Sequence, residues 1–374
     1  MGCLSEPMIN SVQQEIMAAF GTLPVPAADQ LLGPSRGDEA GEQLIQQALA
    51  GQRWQALGAA YLQERWPYFC YLSNAGFRYY LPALLMNCLD NFTPENKLLH
   101  STVYFLTPSY WSLYFRGADE VSEYQTSLFT EAQYKAVCSF LGLVFDQQPY
   151  LKMLAAKALK WGWNRYEHTA LVRCRDFYRD LYHYQYPPSS DPTVASLVAQ
   201  IRAAFANTPY PGDDQLCGSS QGDEPAEYAL EFRDLNWQTI HPDFLAYHYA
   251  ALSFFTEAGF RYFLPAFLIA EVMGTDSNAN PVFHLTHGLV PDKTQQIREQ
   301  LMASGALPED VVQQMRQNEE RATYDWQQIA LDKFSHFNGE ERKAIVAYLQ
   351  YAADEYSMDD INRALESYWL KPPP

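Results

Sequence analysis

The decapeptide EAGFRYFLPA at residues 257–266 occurs a second time, as NAGFRYYLPA at residues 74–83. Each copy places an arginine and a proline inside an aromatic and apolar run. A guanidinium is costly to bury without a partner, and a proline removes a backbone hydrogen-bond donor. A run that carries both residues twice therefore marks either a structural centre or a functional site.

The sequence around the decapeptide is repeated as well. Residues 9–20 match residues 194–205, and in both stretches the apolar residues are spaced by three and four, which is typical of one helix face. Residues 24–39 match residues 209–224, and both stretches contain DQL and end in GDE. Repetition at a nearly constant offset predicts two copies of one structural unit.

The carboxyl-terminal parts of the copies also match, beyond an insert at residues 291–325 that only the second copy contains. FTEAQYKAVCSFL at 129–141 lies over FNGEERKAIVAYL at 337–349. Both stretches open with a predicted capping box, Thr130 to Gln133 and Asn338 to Glu341, in which a side chain and a residue three positions later satisfy each other's backbone amides.

These patterns predict an all-α protein, because alternation typical of strands is scarce and the apolar spacing is repeatedly three and four. The predicted first module covers residues 9–165 and the second module covers residues 194–374. Between them, residues 166–193 are predicted to form a linker helix followed by a Pro/Ser-rich linker, YPPSSDPT.

The arrangement resembles a family of uncharacterised bacterial domains, DUF6714. The residues that carry the resemblance are Ala204 and Phe205, Pro211, Asp214 and Leu216, Glu224, Trp237, Phe260 to Leu268, and Asn338 to Trp369. The second copy fits the pattern better, because GLVFDQQ replaces a polar stretch in the terminal helix of the first copy. The resemblance covers nearly the whole chain twice. It implies a shared fold and no particular activity.

Charge is distributed unevenly along the chain. Residues 1–185 contain 17 acidic and 14 basic side chains, whereas the remainder contains 27 acidic and 12 basic ones. The formal net charge of −18 argues against binding to nucleic acid. Seven basic residues at 152–179 are interleaved with aromatic ones, and we expect them to dock against the acidic second module instead.

The two motif arginines need partners. We expect an ion pair within each module between Arg78 or Arg261 and the carboxylates of the GDE sequence; a ligand-binding arginine is the alternative. The candidate partner- or ligand-binding residues are Arg261, Asp223, Glu224, Asp214, Arg78, Asp38 and Glu39.

The same stretches predict local geometry. Asp223 is expected to cap the amino terminus of a helix. Pro82 and Pro265 are expected to break the motif helix into two short helices, with the aromatic residues of the motif buried around the break.

Histidines and acidic residues offer no strong metal pattern. His284 and His287 have the spacing of a helix face, as do His241 and His248, and we interpret them as solvated or capping histidines. The spacing of Asp214, Asp223 and Glu224 does not match a calcium-binding loop. No metal site, cofactor or catalytic residue is predicted, and HExxH, GxSxG, P-loop and GxGxxG motifs are absent from the sequence.

The sequence favours a non-enzymatic protein that binds another protein. An acidic repeat protein without a catalytic motif fits an immunity or antitoxin protein that neutralises a basic partner. The alternatives are a small-ligand-binding protein or enzyme that uses the arginine and carboxylate cluster of each module, and a structural scaffold. Scattered cysteines and the lack of a long apolar run predict a cytoplasmic protein that does not span a membrane. The oligomeric state stays open.

Overall fold

A computed structural model describes residues 6–35, 37–108, 127–218, 222–275, 278–289, 300–305, 307–321, 326–356 and 359–372. The chain divides into two compact units, Met1–Arg179 and Asp180–Pro374. Within the described ranges the secondary structure is helical, and the only extended pairing consists of isolated bridges. The predicted all-α class is confirmed. Residues 291–299 of the predicted insert lie outside the described residues.

The first unit is built from a series of helices. They are α1 (Glu6–Phe20), α2 (Glu39–Leu49), α3 (Ala59–Arg65), α4 (Asn74–Asp90), α5 (Lys97–Phe105), α6 (Glu131–Gln147), α7 (Lys152–Trp161) and α8 (Thr169–Tyr182), the last of which ends in the second unit.

The second unit repeats this order. Its helices are α9 (Pro192–Phe205), α10 (Glu224–Glu231), α11 (Pro242–Tyr247), α12 (Glu257–Val272), α13 (Pro281–Thr286), α14 (Glu309–Arg321), α15 (Trp326–Ser335), α16 (Gly339–Tyr356) and α17 (Asp359–Ala364). In this order α9 corresponds to α1, α12 to α4 and α16 to α6.

The repeated decapeptide forms the buried central helix of each unit, α4 and α12. In α12 the predicted core residues Phe260, Phe263, Phe267 and Leu268 are at most 1% exposed, and Tyr262 is 8% exposed. A helix whose neighbours cover most of its surface carries apolar residues on most of its faces. The predicted burial of these side chains is confirmed.

The prediction that Pro82 and Pro265 split the motif helix is wrong. Both prolines lie inside continuous helices, α4 and α12. A proline lacks the amide that would donate to the carbonyl four residues earlier, which here belongs to Arg78 or Arg261. Burial of the surrounding apolar residues outweighs this local cost, so the sequence before each proline remains helical.

A loop containing DQL packs against the start of each central helix. The amide of Ser73 donates to the Leu31 carbonyl at 2.9 Å, and the amide of Thr256 donates to the Leu216 carbonyl at 2.9 Å. A Cβ placed on Gly259 would lie 2.6 Å from the Leu216 carbonyl oxygen. The glycine of the motif is therefore required by close approach of the loop.

A tryptophan near the end of each repeat fastens it to the helix that follows the central one. The Trp163 indole donates to the Leu106 carbonyl at 3.0 Å, and the Trp369 indole donates to the Leu285 carbonyl at 2.9 Å. Because Leu106 and Leu285 occupy matching positions, the same contact is made in both units.

Candidate functional site

The motif arginine of the second module contacts the start of α16. The Nε of Arg261 donates to the two carboxylate oxygens of Glu341 at 2.9 and 3.1 Å. The Arg261 side chain is 25% exposed, whereas that of Glu341 is fully buried. The prediction that Arg261 pairs with Asp223 or Glu224 is therefore wrong.

Glu341 also completes the predicted capping box of α16. One carboxylate oxygen accepts from the Asn338 amide at 2.8 Å, and the Asn338 side chain accepts from the Glu341 amide at 3.0 Å. The other oxygen accepts from the Thr208 hydroxyl at 2.6 Å. A buried carboxylate is stable only when its oxygens find donors and a counter-charge. Here a guanidinium, a hydroxyl and a cap amide supply them.

The first module makes the same connection with a neutral partner. The Nε of Arg78 donates to the Gln133 side chain at 2.7 Å. Gln133 is 2% exposed, closes the capping box of α6 with Thr130 and donates to the Ala19 carbonyl at 3.0 Å. Within the described ranges no carboxylate lies at ion-pair distance from Arg78, so its predicted pairing with Asp38 or Glu39 is also wrong. Burial lowers the pKa of Arg78 below its ordinary value.

The carboxylate of the first GDE sequence acts on its own helix. Asp38 caps α2 by accepting from the Gly41 amide at 3.0 Å, and it accepts from the Tyr71 hydroxyl at 2.6 Å. The Tyr71 hydrogen bond is the main reason why the pKa of Asp38 is lowered. The same bond raises the pKa of Tyr71 to about 12. Local capping thus occupies the carboxylate that was expected to face Arg78.

The second GDE sequence lacks this hydroxyl. Asp223 occupies the N-cap of α10, as predicted, but its side chain makes no capping hydrogen bond. Phe254 stands at the position that matches Tyr71. Asp214 and Glu224 are also exposed, and the described residues provide none of the three carboxylates with a hydrogen bond or ion pair. These three side chains present their negative charge to solvent.

Asp213, the neighbour of Asp214, was missed by the sequence reasoning. It accepts from the Tyr210 hydroxyl at 2.6 Å and pairs with Arg233 at 3.1 Å. The matching residue in the first copy is Ala28, so the repeat gave no signal for this contact. Asp213 and Tyr210 hold the loop from which Asp214 projects.

The histidines have different environments. His241 caps α11 by accepting from the Asp243 amide at 3.0 Å, which confirms the interpretation as a capping residue. His248 is 1% exposed and lies 3.5 Å from a Glu227 carboxylate oxygen, so it is a core residue and not a solvated one. Within the described part of the chain, no group of three histidine, cysteine or acidic side chains is placed to hold a metal ion.

A serine and a histidine lie close together in the first unit, but the directions of their hydrogen bonds do not suit nucleophilic catalysis. The Ser139 hydroxyl donates to the Glu15 carboxylate at 2.5 Å and lies 3.2 Å from His168 Nε2. His168 Nδ1 accepts from the Ala170 amide at 3.1 Å. The neutral ring therefore carries its proton on Nε2 and donates to Ser139. A general base would instead accept the serine proton.

Several basic residues of the segment 152–179 are satisfied within the first unit. Lys152 lies over the Phe177 ring at 4.7 Å and Lys160 over the Tyr178 ring at 4.2 Å. Further along the segment, Arg173 pairs with Asp146 and Arg175 pairs with Glu167, each at 3.0 Å. Cation–π contacts and ion pairs of this kind give the basic and aromatic pattern a structural explanation.

The whole repeat matches one known protein family. A sequence model of a family of unknown function, DUF6714, matches residues 9–166 and again residues 193–372. This chain belongs to the DUF6714 family. No curated protein and no solved structure matches this DUF6714 protein. None of the helices in the described ranges combines the length and the apolar character that a bilayer crossing needs.

Proposed function

We propose that this DUF6714 protein binds another protein without catalysing a reaction, and that its second module captures a basic partner. The observation that carries the proposal is the set of exposed carboxylates of Asp214, Asp223 and Glu224, which lack intramolecular bonds among the described residues. Carboxylates that make no internal contact are available to a partner.

The charge distribution supports the same assignment. The chain from residue 186 onward has an excess of 15 acidic residues, whereas the chain before it has an excess of three. A negative surface speeds the association of a positive partner through long-range attraction. An immunity or antitoxin protein that neutralises a basic toxin would use such a surface. The free thiols of Cys70, Cys88, Cys138, Cys174 and Cys217 fit a reducing cytoplasm.

The alternatives from the sequence now have different support. A ligand site that uses both the motif arginine and the GDE carboxylates has lost its main argument, because Arg261 is held by Glu341. A small-ligand-binding protein, an enzyme and a structural scaffold stay predictions that only a binding experiment separates.

The test is affinity capture from the native host followed by mass spectrometry. The full-length protein is compared with the variant D214N/D223N/E224Q and with the control variant D29N/E39Q, which neutralises exposed carboxylates at matching places in the first module. We expect a basic partner that the wild type and the control recover, and that the triple variant and high salt release. Recovery of no partner, or of a partner that the triple variant still binds, would refute the proposal.

A further inference from the structure

Two helices of the second module, α13 and α15, meet around a glycine. Trp326, Ala330 and Lys333 are spaced by four and three residues and therefore lie on one face of α15. Gly288 follows α13 with a φ of +83°, and a Cβ on it would overlap the Trp326 carbonyl. The contact brings Trp326 and Lys333 to the side chains of α13.

Two basic groups converge on one aromatic ring at this contact. The Lys333 Nζ lies 4.3 Å from the centroid of the Phe260 ring. The His284 ring centroid lies 6.3 Å from that of Phe260. The described residues offer neither Lys333 nor His284 a carboxylate at ion-pair distance; Glu257 on α12 acts on Lys333 only from farther away. Lys333 therefore has a cation–π contact but no counter-charge beside it among the described residues, and a carboxylate would supply one.

The electrostatics of the two groups agree with the geometry. Burial lowers the pKa of Lys333, although Glu257 partly opposes the shift. Burial also lowers the pKa of His284 to about 4, and Lys333 and His287 act in the same direction. A negative charge placed between these groups would favour their protonated forms.

An exposed aromatic edge borders the basic groups. Phe283, next to His284, is 48% exposed and its ring stacks on that of His287 at 4.8 Å. Trp326 is 52% exposed, and its ring centroid lies 5.1 Å from that of His287. Large aromatic side chains that are half exposed provide flat apolar surface for a ligand.

We propose that Lys333 and His284 bind a carboxylate whose attached aromatic group lies against Phe283 and Trp326. The ligand class follows from the positive charge of Lys333, from the imidazole of His284 as a hydrogen-bond donor, and from the flat apolar edge beside them. In the first module Phe105 and Pro108 occupy the positions of His284 and His287. The site is independent of the proposed capture of a basic partner by Asp214, Asp223 and Glu224.

The test is titration of the full-length protein with phenylacetate, followed by calorimetry and by NMR of the tryptophan indole protons. Phenylacetamide, which has the same shape without charge, is the control ligand. Loss of one charged partner corresponds to about tenfold weaker binding, which we expect for K333M. The control variant K343M removes an exposed lysine that pairs with Glu340 and should bind as the wild type does.

The variant H284F supplies a second probe, because it introduces the residue of the first module and keeps the core apolar. It should weaken phenylacetate binding and leave the circular dichroism spectrum unchanged. Equal binding of phenylacetate and phenylacetamide, or unchanged binding by both K333M and H284F, would overturn the proposal.

A second titration, with a peptide, distinguishes a protein carboxyl terminus from a small aromatic acid as the source of the carboxylate. A short peptide that ends in phenylalanine is compared as the free acid and as the amide. Tighter binding of the free-acid peptide than of phenylacetate assigns the site to a protein carboxyl terminus. Tighter binding of phenylacetate assigns it to a small aromatic acid. Absence of binding by both acids contradicts the proposal.

Discussion

The two modules share a set of contacts and differ in the chemistry placed on it. In both, the motif arginine donates to the last residue of a capping box. A serine or threonine caps the central helix, and a tryptophan indole holds the end of the repeat. The arginine meets a neutral amide in the first module and a buried carboxylate in the second. The conserved part is therefore the connection between helices, and the charge on it is free to change.

The second difference concerns the aspartate of the GDE sequence, which is hydrogen-bonded in the first module and exposed without a bond among the described residues in the second. Asp38 is held by the Tyr71 hydroxyl and a cap amide. Asp223 makes no capping bond, and Phe254 stands at the position that matches Tyr71. A third lies at Phe105 and His284, where the partly buried phenylalanine of the first module is matched by a titratable histidine. At Glu341 and His284 the second module has gained a charged or titratable group, and at Asp223 its carboxylate has lost the hydroxyl partner that Asp38 has. This contrast is why we assign the functional contacts to it.

Removal of the Glu341 carboxylate should have the largest effect. E341A leaves Arg261 without its counter-charge and the Thr208 hydroxyl and the cap amide without an acceptor, so we expect a loss of about 3–5 kcal/mol in unfolding free energy. Urea unfolding measures the loss, and hydrogen exchange of residues 326–372 assigns it to the second module. A loss no larger than that of the exposed variant E340A would contradict the account.

The second module should lose stability in acid through His284. Because its pKa is lowered from 6.5 to about 4, the folded state excludes a proton that the unfolded state binds between these values. Stability is therefore full above pH 6.5 and falls as the pH drops towards 4, by up to about 3 kcal/mol. H284F should remove this slope in thermal unfolding measured between pH 4 and 7. An unchanged slope in the variant would exclude His284 as its cause.

Replacing Gln133, the neutral partner of Arg78, by glutamate should lower stability unless a further donor is added. Q133E would place a carboxylate oxygen beside the Ala19 carbonyl, which now accepts from the Gln133 amide group. We expect a loss of about 1–2 kcal/mol. In the second module Thr208 donates to the carboxylate, and Leu23 occupies the matching position. Adding L23T should recover part of the lost stability, as measured by urea unfolding. No recovery would show that the Arg78–Gln133 and Arg261–Glu341 contacts are not equivalent.

The smallest effect is expected at Tyr71. Y71F gives the first GDE sequence the phenylalanine of the second and removes the main cause of the lowered Asp38 pKa. The pKa of Asp38, followed by NMR, should rise towards its ordinary value. The pKa of Glu167 is lowered mainly by Arg175 and serves as the control that should not move. An unchanged pKa of Asp38 would assign its shift to the cap amide alone.

Much of the fold could be predicted from the sequence because its signals are local. Apolar spacing, the capping boxes and the burial of Phe260 and Phe263 all follow from short stretches. The continuous helix through Pro265 could not be predicted, because the cost of the proline is local while the burial that outweighs it comes from distant elements. The partner of Arg261 was missed for a similar reason. Glu341 was visible as a capping residue, but its second role depends on packing across 80 residues.

The most direct test of the account is a double-mutant cycle on Arg261 and Glu341, with R261M, E341Q and the double variant measured by urea unfolding. We predict a coupling free energy of about 1.5–3 kcal/mol, as for a hydrogen bond between charged groups. The exposed pair of Arg175 and Glu167 is the control and should couple by less than about 1 kcal/mol. A coupling for Arg261 and Glu341 no greater than that of the control would contradict the claim that the repeated motif ties the central helix to the terminal one.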